Sequence, residues 1–412
     1  MDLIIGAGIS GLSYANFCGH DDYEIIEKDS SIGGYCKTIN EEGFTWDYSG
    51  HFFHFRYPDI KEYLLSNMDR DDILEVTKMT QIKYKNHYID FPFQKNIHQL
   101  PQEEFIDCLY DLFQERCADF SNFKEMVITK FGKSIAEKFL IPYNEKLYAT
   151  DVNRLDVNAM GRFFPYANKE EIIRNFKKPI NDSYNSTFTY PRGGAIEYVN
   201  SLYGRINANK MSLNEQLCHI DLKNKIAKTS KREIKFDRLI SSIPFPFLLD
   251  ICDVEYNKNF YSWNKVLVFN LGFDKKGRDT VNHWIYFPEK KYSFYRIGYY
   301  DNIFQTNKLS LYVELGFSKE KNVDSQEYLK RILKDLKLAE IIDEHKLVAY
   351  SSVIMNPAYV HISQDSENDK LEKMKFLSDY DIHSIGRYGE WTYCSIEDNI
   401  IQAKELTLKI FK

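Results

Sequence analysis

An α/β fold is predicted, with a nucleotide-binding domain, a helical insertion and a β-sheet domain on the substrate side. Three observations predict it. The chain opens on a short apolar run, a glycine-rich turn and a helix; residues 101–139 carry helical spacing; and from about residue 219 the apolar residues alternate with period two. A chain of 412 residues with 43% hydrophobic and 28% charged residues can bury large cores and is not a disordered polymer. Net charge is −6, and the basic residues form no block, which argues against nucleic-acid binding. No apolar run approaches the ~20 residues that span a bilayer. The first residues have neither the basic flank nor the apolar length of a signal peptide, so a cytoplasmic protein is expected. The seven cysteines are scattered without a C-x-x-C pair, in keeping with a reduced compartment, and Cys218-His219 has no metal-ligand spacing, so no metal is expected.

Leu3-Ile4-Ile5 reads as a buried strand. It runs into Gly6-Ala7-Gly8-Ile9-Ser10-Gly11, a helix through Ala15 and Phe17, and a second strand, Tyr23–Ile26, ending on Glu27. This is G-x-G-x-x-G in its required context. Gly6 permits the turn, Gly8 admits a pyrophosphate against the backbone, and Gly11 lets helix and strand pack. Ser10 lies in the same turn, and the helix start offers free amides and a positive dipole end to phosphates. Glu27 is placed to accept hydrogen bonds from ribose hydroxyls. Gly33-Gly34, just past that acid, lets amides crowd the second half of a longer dinucleotide, which favours FAD over NAD.

Pro101-Gln102-Glu103-Glu104 opens a helix with Phe105, Ile106, Leu109, Tyr110, Leu112 and Phe113 at helical spacing, and Ser121 is expected to cap the next, which ends near Gly132. The segments 220–222, 225–228, 233–236 and 239–242 read as a meander feeding a last strand of the nucleotide domain. Further strands are expected at 265–273, 283–287, 293–299 and 309–316, a helix from Ser325 to Leu338, and a loop then a helix from Gly386 to Lys409. The resulting division is an FAD-binding domain of 1–90, 191–255 and 380–412, a mainly helical insertion of 91–190, and a β-sheet substrate domain of 256–379.

Over most of its length the chain resembles the UDP-galactopyranose mutase family, its eukaryotic-like branch in particular. Besides the two glycine motifs, the resemblance rests on Ser49-Gly50-His51-Phe52-Phe53, Phe91-Pro92-Phe93-Gln94-Lys95-Asn96, Pro142-Tyr143-Asn144-Glu145-Lys146 and Tyr190-Pro191-Arg192-Gly193-Gly194. It continues in Trp284-Ile285-Tyr286-Phe287-Pro288, Phe294-Tyr295-Arg296 and Gly386-Arg387-Tyr388-Gly389-Glu390-Trp391. The resemblance implies an isomerase that interconverts pyranose and furanose forms of a nucleotide sugar, with N5 of a reduced FAD as nucleophile at the anomeric carbon. It implies that Arg296 and Arg162 meet the diphosphate, as planar guanidinium forks suit, and that Tyr286, Tyr359 and Tyr393 hydrogen-bond it. His51 would lie beside the flavin and respond to its charge. Arg387 and Glu397 would hold the flavin; Phe93, Gln94, Tyr143, Asn144 and Tyr148 would form the base and ribose slot; Trp284 would contact the substrate, and Asn185 its sugar. The resemblance leaves room for NAD(P)H as reductant and for a homo-oligomer, and it places the product, a galactofuranose donor, in polysaccharide biosynthesis. Two other readings stay open: an FAD-dependent oxidoreductase of the amine-oxidase or protoporphyrinogen-oxidase type, and a flavin-binding partner protein without turnover. An apolar amine or porphyrin gives no use to two arginines facing the flavin, which discriminates among them.

Overall fold

The computed structural model describes residues 1–116, 119–177 and 186–411. Asp2–Ile5 is the central strand of a five-stranded sheet whose spatial order is Ile382–Ser384, Arg238–Ser241, Asp2–Ile5, Tyr23–Ile26 and Met211–Ser212. Every pairing in it is parallel. Buried on both faces, such a strand needs an unbroken apolar run rather than alternation, which is what Leu3-Ile4-Ile5 supplies. The helices Ile9–Phe17, Ile196–Tyr203 and Ile396–Ile410 share one apolar cluster on this sheet, through Leu12, Val199, Leu202, Ile400 and Ala403. Leu217–Asp221, Ile226–Thr229 and Glu233–Lys235 form the antiparallel meander that feeds Arg238–Ser241 into the parallel sheet.

The second large sheet has eight strands. Its order is Leu347–Met355, Ser262–Phe273, Ser310–Ser318, Arg296–Tyr299, Trp284–Tyr286, Thr80–Tyr84 and His87–Asp90, with Val360–His361 pairing the start of Ser262–Phe273. The boundary expected at residue 90 is therefore displaced: Thr80–Tyr84 and His87–Asp90 belong to this sheet, not to the nucleotide domain. Thr80 lies opposite Trp284 in parallel register and its hydroxyl donates to the Trp284 carbonyl at 2.7 Å. No strand is expected from the sequence at these positions, and a local pattern would not say which sheet receives one. Ser325–Leu338, found where its pattern predicts it, covers one face of the sheet with Ile332 and Leu336.

The helices Gln102–Phe113, Phe123–Phe131 and Ile141–Tyr148 form the insertion, the first two packing on each other and the third against strand Ser310–Ser318. Asn122, not Ser121, caps the second, accepting from the Glu125 amide at 3.0 Å; Ser121 instead donates its amide and hydroxyl to the Glu125 carboxylate. The pair forms a reciprocal cap displaced by one residue. A π-turn, Ala136–Leu140, precedes Ile141–Tyr148 and rotates Tyr143 and Asn144 toward the inter-sheet space.

The layers are tied together at Asp47, at the end of strand Phe44–Asp47. Its wholly buried carboxylate accepts from Thr38 Oγ1 at 2.7 Å, Tyr190 Oη at 2.7 Å and the Ala195 amide at 3.0 Å. Asp47→Ala leaves the buried Tyr190 hydroxyl and Ala195 amide unsatisfied, each costing about 1–3 kcal/mol, together with the half-buried Thr38 hydroxyl. Urea denaturation is expected to show a loss on the order of 3 kcal/mol or more, and a loss under about 1 kcal/mol would remove Asp47 from this role.

Candidate active site

A single cavity of about 830 Å³ runs from the first glycine turn to the face of the second sheet. That volume is in the range of small-molecule and cofactor sites. At one end its wall contains Gly6, Gly8, Ser10, Glu27, Gly33 and Gly34. Gly6 takes φ +101°, and the Gly33 amide donates to the Ala7 carbonyl at 2.9 Å, so the two glycine turns are stitched to each other. Gly11 is not in the wall. It lies beneath it, where an added Cβ would come within 2.0 Å of the Gly6 carbonyl oxygen. The buried Glu27 carboxylate accepts from the Ala7 and Asp29 amides at 2.8 and 2.9 Å, which fixes it at the cavity edge with acceptor capacity to spare. A glycine cradle, a helix start and a fixed carboxylate are the donor and acceptor set that a dinucleotide requires, so the residues present fit FAD.

At the other end the wall contains Arg162, Arg296, His51, Tyr143, Asn144, Trp284, Tyr286, Tyr359, Tyr393 and Arg387. Arg296 begins strand Arg296–Tyr299, directly opposite Glu314 in the antiparallel register. Its guanidinium forks onto that carboxylate, with Nε to Oε2 at 2.7 Å and a second nitrogen to Oε1 at 2.8 Å. Glu314 is 1% exposed and also accepts from the Ser49 hydroxyl, so the His51 loop, the arginine and the sheet are joined at one carboxylate. Arg162, in the turn Gly161–Phe163, pairs with Asp398 at 2.7 Å, at the start of helix Ile396–Ile410. Both arginines therefore reach one cavity from different layers, and each has a carboxylate partner behind it.

The aromatic wall is layered. Tyr286 accepts from Trp284 Nε1 at 2.8 Å and packs on Phe91 and Tyr143, each with ring centres 5.1 Å away. Tyr359 and Tyr393 stack at 5.8 Å, and the Arg387 guanidinium lies over both rings, at 5.1 and 4.6 Å. His51 Nδ1 is buried with no hydrogen-bond partner. Burial, with Arg387 beside it, pushes this imidazole down to about 4, so it is neutral at pH 7.

Several expectations are corrected. Glu397 is not in the wall: its buried carboxylate accepts from the Arg56 and Tyr57 amides at 3.0 Å and holds that turn. Phe93 is turned into the core, stacked on Phe139 at 5.3 Å, because Phe93–Lys95 is a 3₁₀ turn; Phe91 takes its place in the wall. Gln94 is wholly buried, its amide donating to the Pro165 carbonyl. Tyr148 stands one layer back, edge-on to Tyr359 at 5.7 Å. Asn185 lies outside the described residues. Sequence reasoning missed Glu314 and Asp398. A signal for the first exists: Glu314 is the lone charge in Leu311-Tyr312-Val313-Glu314-Leu315, an otherwise apolar strand.

The arrangement defines a class first: an α/β protein with a Rossmann-like nucleotide-binding domain, a helical insertion and a β-sheet domain that share one site. Residues 4–65 match the family model for an NAD(P)-binding Rossmann-like domain. The fold is moreover that of UDP-galactopyranose mutase. The chain is similar to a crystal structure of reduced UDP-galactopyranose mutase with TM-score 0.92 and 24% identity, over 100% of this chain and 93% of that one. It is also similar to a structure from Exiguobacterium sp. assigned as a protoporphyrinogen oxidase, with TM-score 0.80, 13% identity and coverage of 99% and 98%. Cyclohexylamine oxidase from Brevibacterium oxydans matches with TM-score 0.70, 12% identity and coverage of 99% and 98%. No helix among the described residues is long and apolar enough to cross a membrane.

Two outcomes follow. Gly11→Ala forces helix and turn apart, and the variant is expected to lose binding of added FAD in a fluorescence titration; a variant that binds FAD as the native chain does would contradict the packing role. His51 in the folded chain, with its value depressed from 6.5 to about 4, contributes stability above pH 6.5 that is lost as the pH falls toward 4. Nitrogen NMR of labelled histidine, assigned by His51→Ala, should show a neutral ring down to pH 5, and a midpoint near 6.5 would overturn this.

Proposed function

We propose that the chain is an FAD-dependent nucleotide-sugar mutase that interconverts pyranose and furanose forms, of the UDP-galactopyranose/UDP-galactofuranose type. The observation that carries the reading is the convergence of Arg162 and Arg296 on the cavity that also holds the glycine cradle. Gly6, Gly8, Ser10, Glu27, Gly33 and Gly34 would hold the dinucleotide, with Arg387 at the far end. When bound and reduced, the flavin supplies an electron-rich ring nitrogen that can act as a nucleophile, and NAD(P)H is the proposed source of its electrons.

The remaining work falls to the chain. Loss of a diphosphate from an anomeric carbon concentrates negative charge on the leaving oxygens, and preset guanidinium forks stabilise that charge as it develops. Arg296 is already oriented by Glu314, and Arg162 by Asp398, so neither cation must be reorganised when the substrate arrives. Tyr286, Tyr359 and Tyr393 add hydroxyl donors to the same group. Tyr143 and Phe91 supply flat surfaces for a base, and Asn144 keeps an unpartnered Oδ1 for its edge. His51, neutral at pH 7, can donate or accept at one nitrogen without adding charge. The apolar share of the wall excludes water, which would otherwise intercept the sugar. A cytoplasmic site of action and a product used for polysaccharide assembly belong to the same proposal.

The second reading, an oxidoreductase, is favoured by the fold shared with protoporphyrinogen and cyclohexylamine oxidases. Reduction with dithionite, incubation with a panel of nucleotide sugars and separation of ring isomers decides between them. Ring isomers without net oxidation are expected. No isomer with any sugar, and an oxidised product under air, would overturn the mutase reading. Arg296→Ala is expected to abolish turnover while the protein stays yellow, and Arg296→Lys, which cannot fork, to lower kcat by about 10²–10³. Flavin loss in Arg296→Ala would make this arginine structural.

A further inference from the structure

The motif Pro142-Tyr143-Asn144-Glu145-Lys146 holds a residue that the cavity does not use. Tyr143 and Asn144, on helix Ile141–Tyr148, lie in the cavity wall. Lys146, on the same helix, reaches instead the turn that joins strand Trp284–Tyr286 to strand Arg296–Tyr299. Its ammonium donates to the Phe287 carbonyl at 2.7 Å, to the Glu289 carbonyl at 3.1 Å and to the Phe294 carbonyl. An ammonium has three N–H donors, so these carbonyls use all of them. Both ends of the turn belong to the site: Phe287 follows Tyr286 directly, and Phe294 stands two residues before Arg296. The turn is stiffened from within. Phe287 lies edge-on to Phe294 at 4.8 Å, Tyr292 stacks on Phe294 at 5.7 Å, and the Phe287 amide donates to the Tyr295 carbonyl at 2.8 Å. A shift of the three carbonyls is therefore carried to Tyr286 and to Arg296 together.

The end of the helix is docked on other strands. Asn264 Nδ2 donates to the Leu147 carbonyl, and His361 Nε2 donates to the Tyr148 carbonyl at 2.8 Å. An added Cβ at Gly316 would come within 2.2 Å of the Lys146 carbonyl oxygen, so helix and strand touch there. These contacts set the helix against Ser262–Phe273, Val360–His361 and Ser310–Ser318; among them, only the Lys146 ammonium reaches the 287–295 turn. A nucleoside diphosphate must fill the base slot on the helix and the diphosphate slot at the ends of the turn at once, across a span that its ribose sets. We propose that Lys146 is a positioning residue that fixes the distance between these two slots, so that the site takes a nucleoside diphosphate as one ligand. The inference rests on the proposed function, which gives Tyr143 and Asn144 to the base and Tyr286 and Arg296 to the diphosphate. Joining two fragments raises affinity through effective concentration only when the join matches the span between their sites. Loss of the clamp therefore weakens the joined ligand and spares its parts.

Binding to the oxidised holoprotein tests it, by calorimetry for UDP and inorganic pyrophosphate and by NMR saturation transfer for uridine. Where CDP, GDP, ADP or dTDP binds more tightly than UDP, it and its nucleoside serve as the probes. Lys146→Met nearly keeps the reach of the side chain and removes all three donors. It is expected to raise the Kd for UDP about 10–100-fold while those for pyrophosphate and uridine stay within about two-fold of the native chain. Equal UDP affinity in the native chain and in K146M overturns the proposal. So does a loss of pyrophosphate or uridine binding that matches the loss of UDP binding, or a K146M chain that does not fold, since either makes this lysine a support of the fold alone. A native chain that binds none of these nucleoside diphosphates overturns the proposed function, and this inference with it.

Discussion

Two guanidinium groups brought to one mostly apolar cavity are the constraint around which the rest is arranged. A buried cation without a partner is strongly destabilising, and one whose partner fully satisfies it is poorly available to a ligand. The structure meets both demands by placing each carboxylate behind its arginine. Glu314 presents a flat carboxylate from the neighbouring strand, in register with Arg296, and Asp398 presents another from the first turn of a helix. The forks are thus preset and face the cavity, and an incoming diphosphate would compete with, or share, a carboxylate that has already oriented the cation. Ser49 extends this arrangement to the His51 loop, since its hydroxyl donates to Glu314.

The fold explains how such distant positions meet. Glycine turns at the carboxyl ends of the parallel strands Asp2–Ile5 and Tyr23–Ile26 form one end of the cavity, as open α/β sheets favour. The face of an antiparallel sheet forms the other, and the π-turn before Ile141–Tyr148 brings the insertion against both. Asp47 then pins the Thr38–Glu41 and Phe44–Asp47 hairpin to the Tyr190 and Ala195 segment between the layers. The rigid elements set distances, and the short segments carrying Arg162 and His51 are tied to them through Asp398 and through Ser49 on Glu314.

How much of this was legible in the sequence depends on whether the signal was local. The nucleotide cradle was, because Gly6, Gly8 and Gly11 must follow a strand and open a helix for reasons that a few residues contain. Ser325–Leu338 and Gln102–Phe113 were, because their periodicity is strong. The family resemblance pointed to Arg162, Arg296, His51, Tyr143, Tyr286, Tyr359 and Tyr393, and these line one cavity. What was not legible is sheet membership and side-chain direction. Strand Thr80–Tyr84 was not foreseen, and its neighbour, Trp284, is two hundred residues away in sequence. Phe91 and Phe93 lie two residues apart in one motif, and only the 3₁₀ turn at Phe93–Lys95 decides which of them faces the cavity. Glu397 has the chemistry of a cofactor ligand, yet the Arg56 and Tyr57 amides claim it. The carboxylates behind the arginines were not paired with them in advance because the partners are distant in sequence: Glu314 meets Arg296 across a strand pair, and Asp398 meets Arg162 from the start of a helix.

The most direct test is a crystal structure of the reduced flavoprotein with a nucleoside diphosphate sugar bound. The account predicts that the diphosphate sits in this cavity with both Arg162 and Arg296 about 2.8 Å from its oxygens, and with the sugar between that group and the flavin. A diphosphate bound elsewhere, or one that leaves both guanidinium groups facing only Glu314 and Asp398, would contradict it.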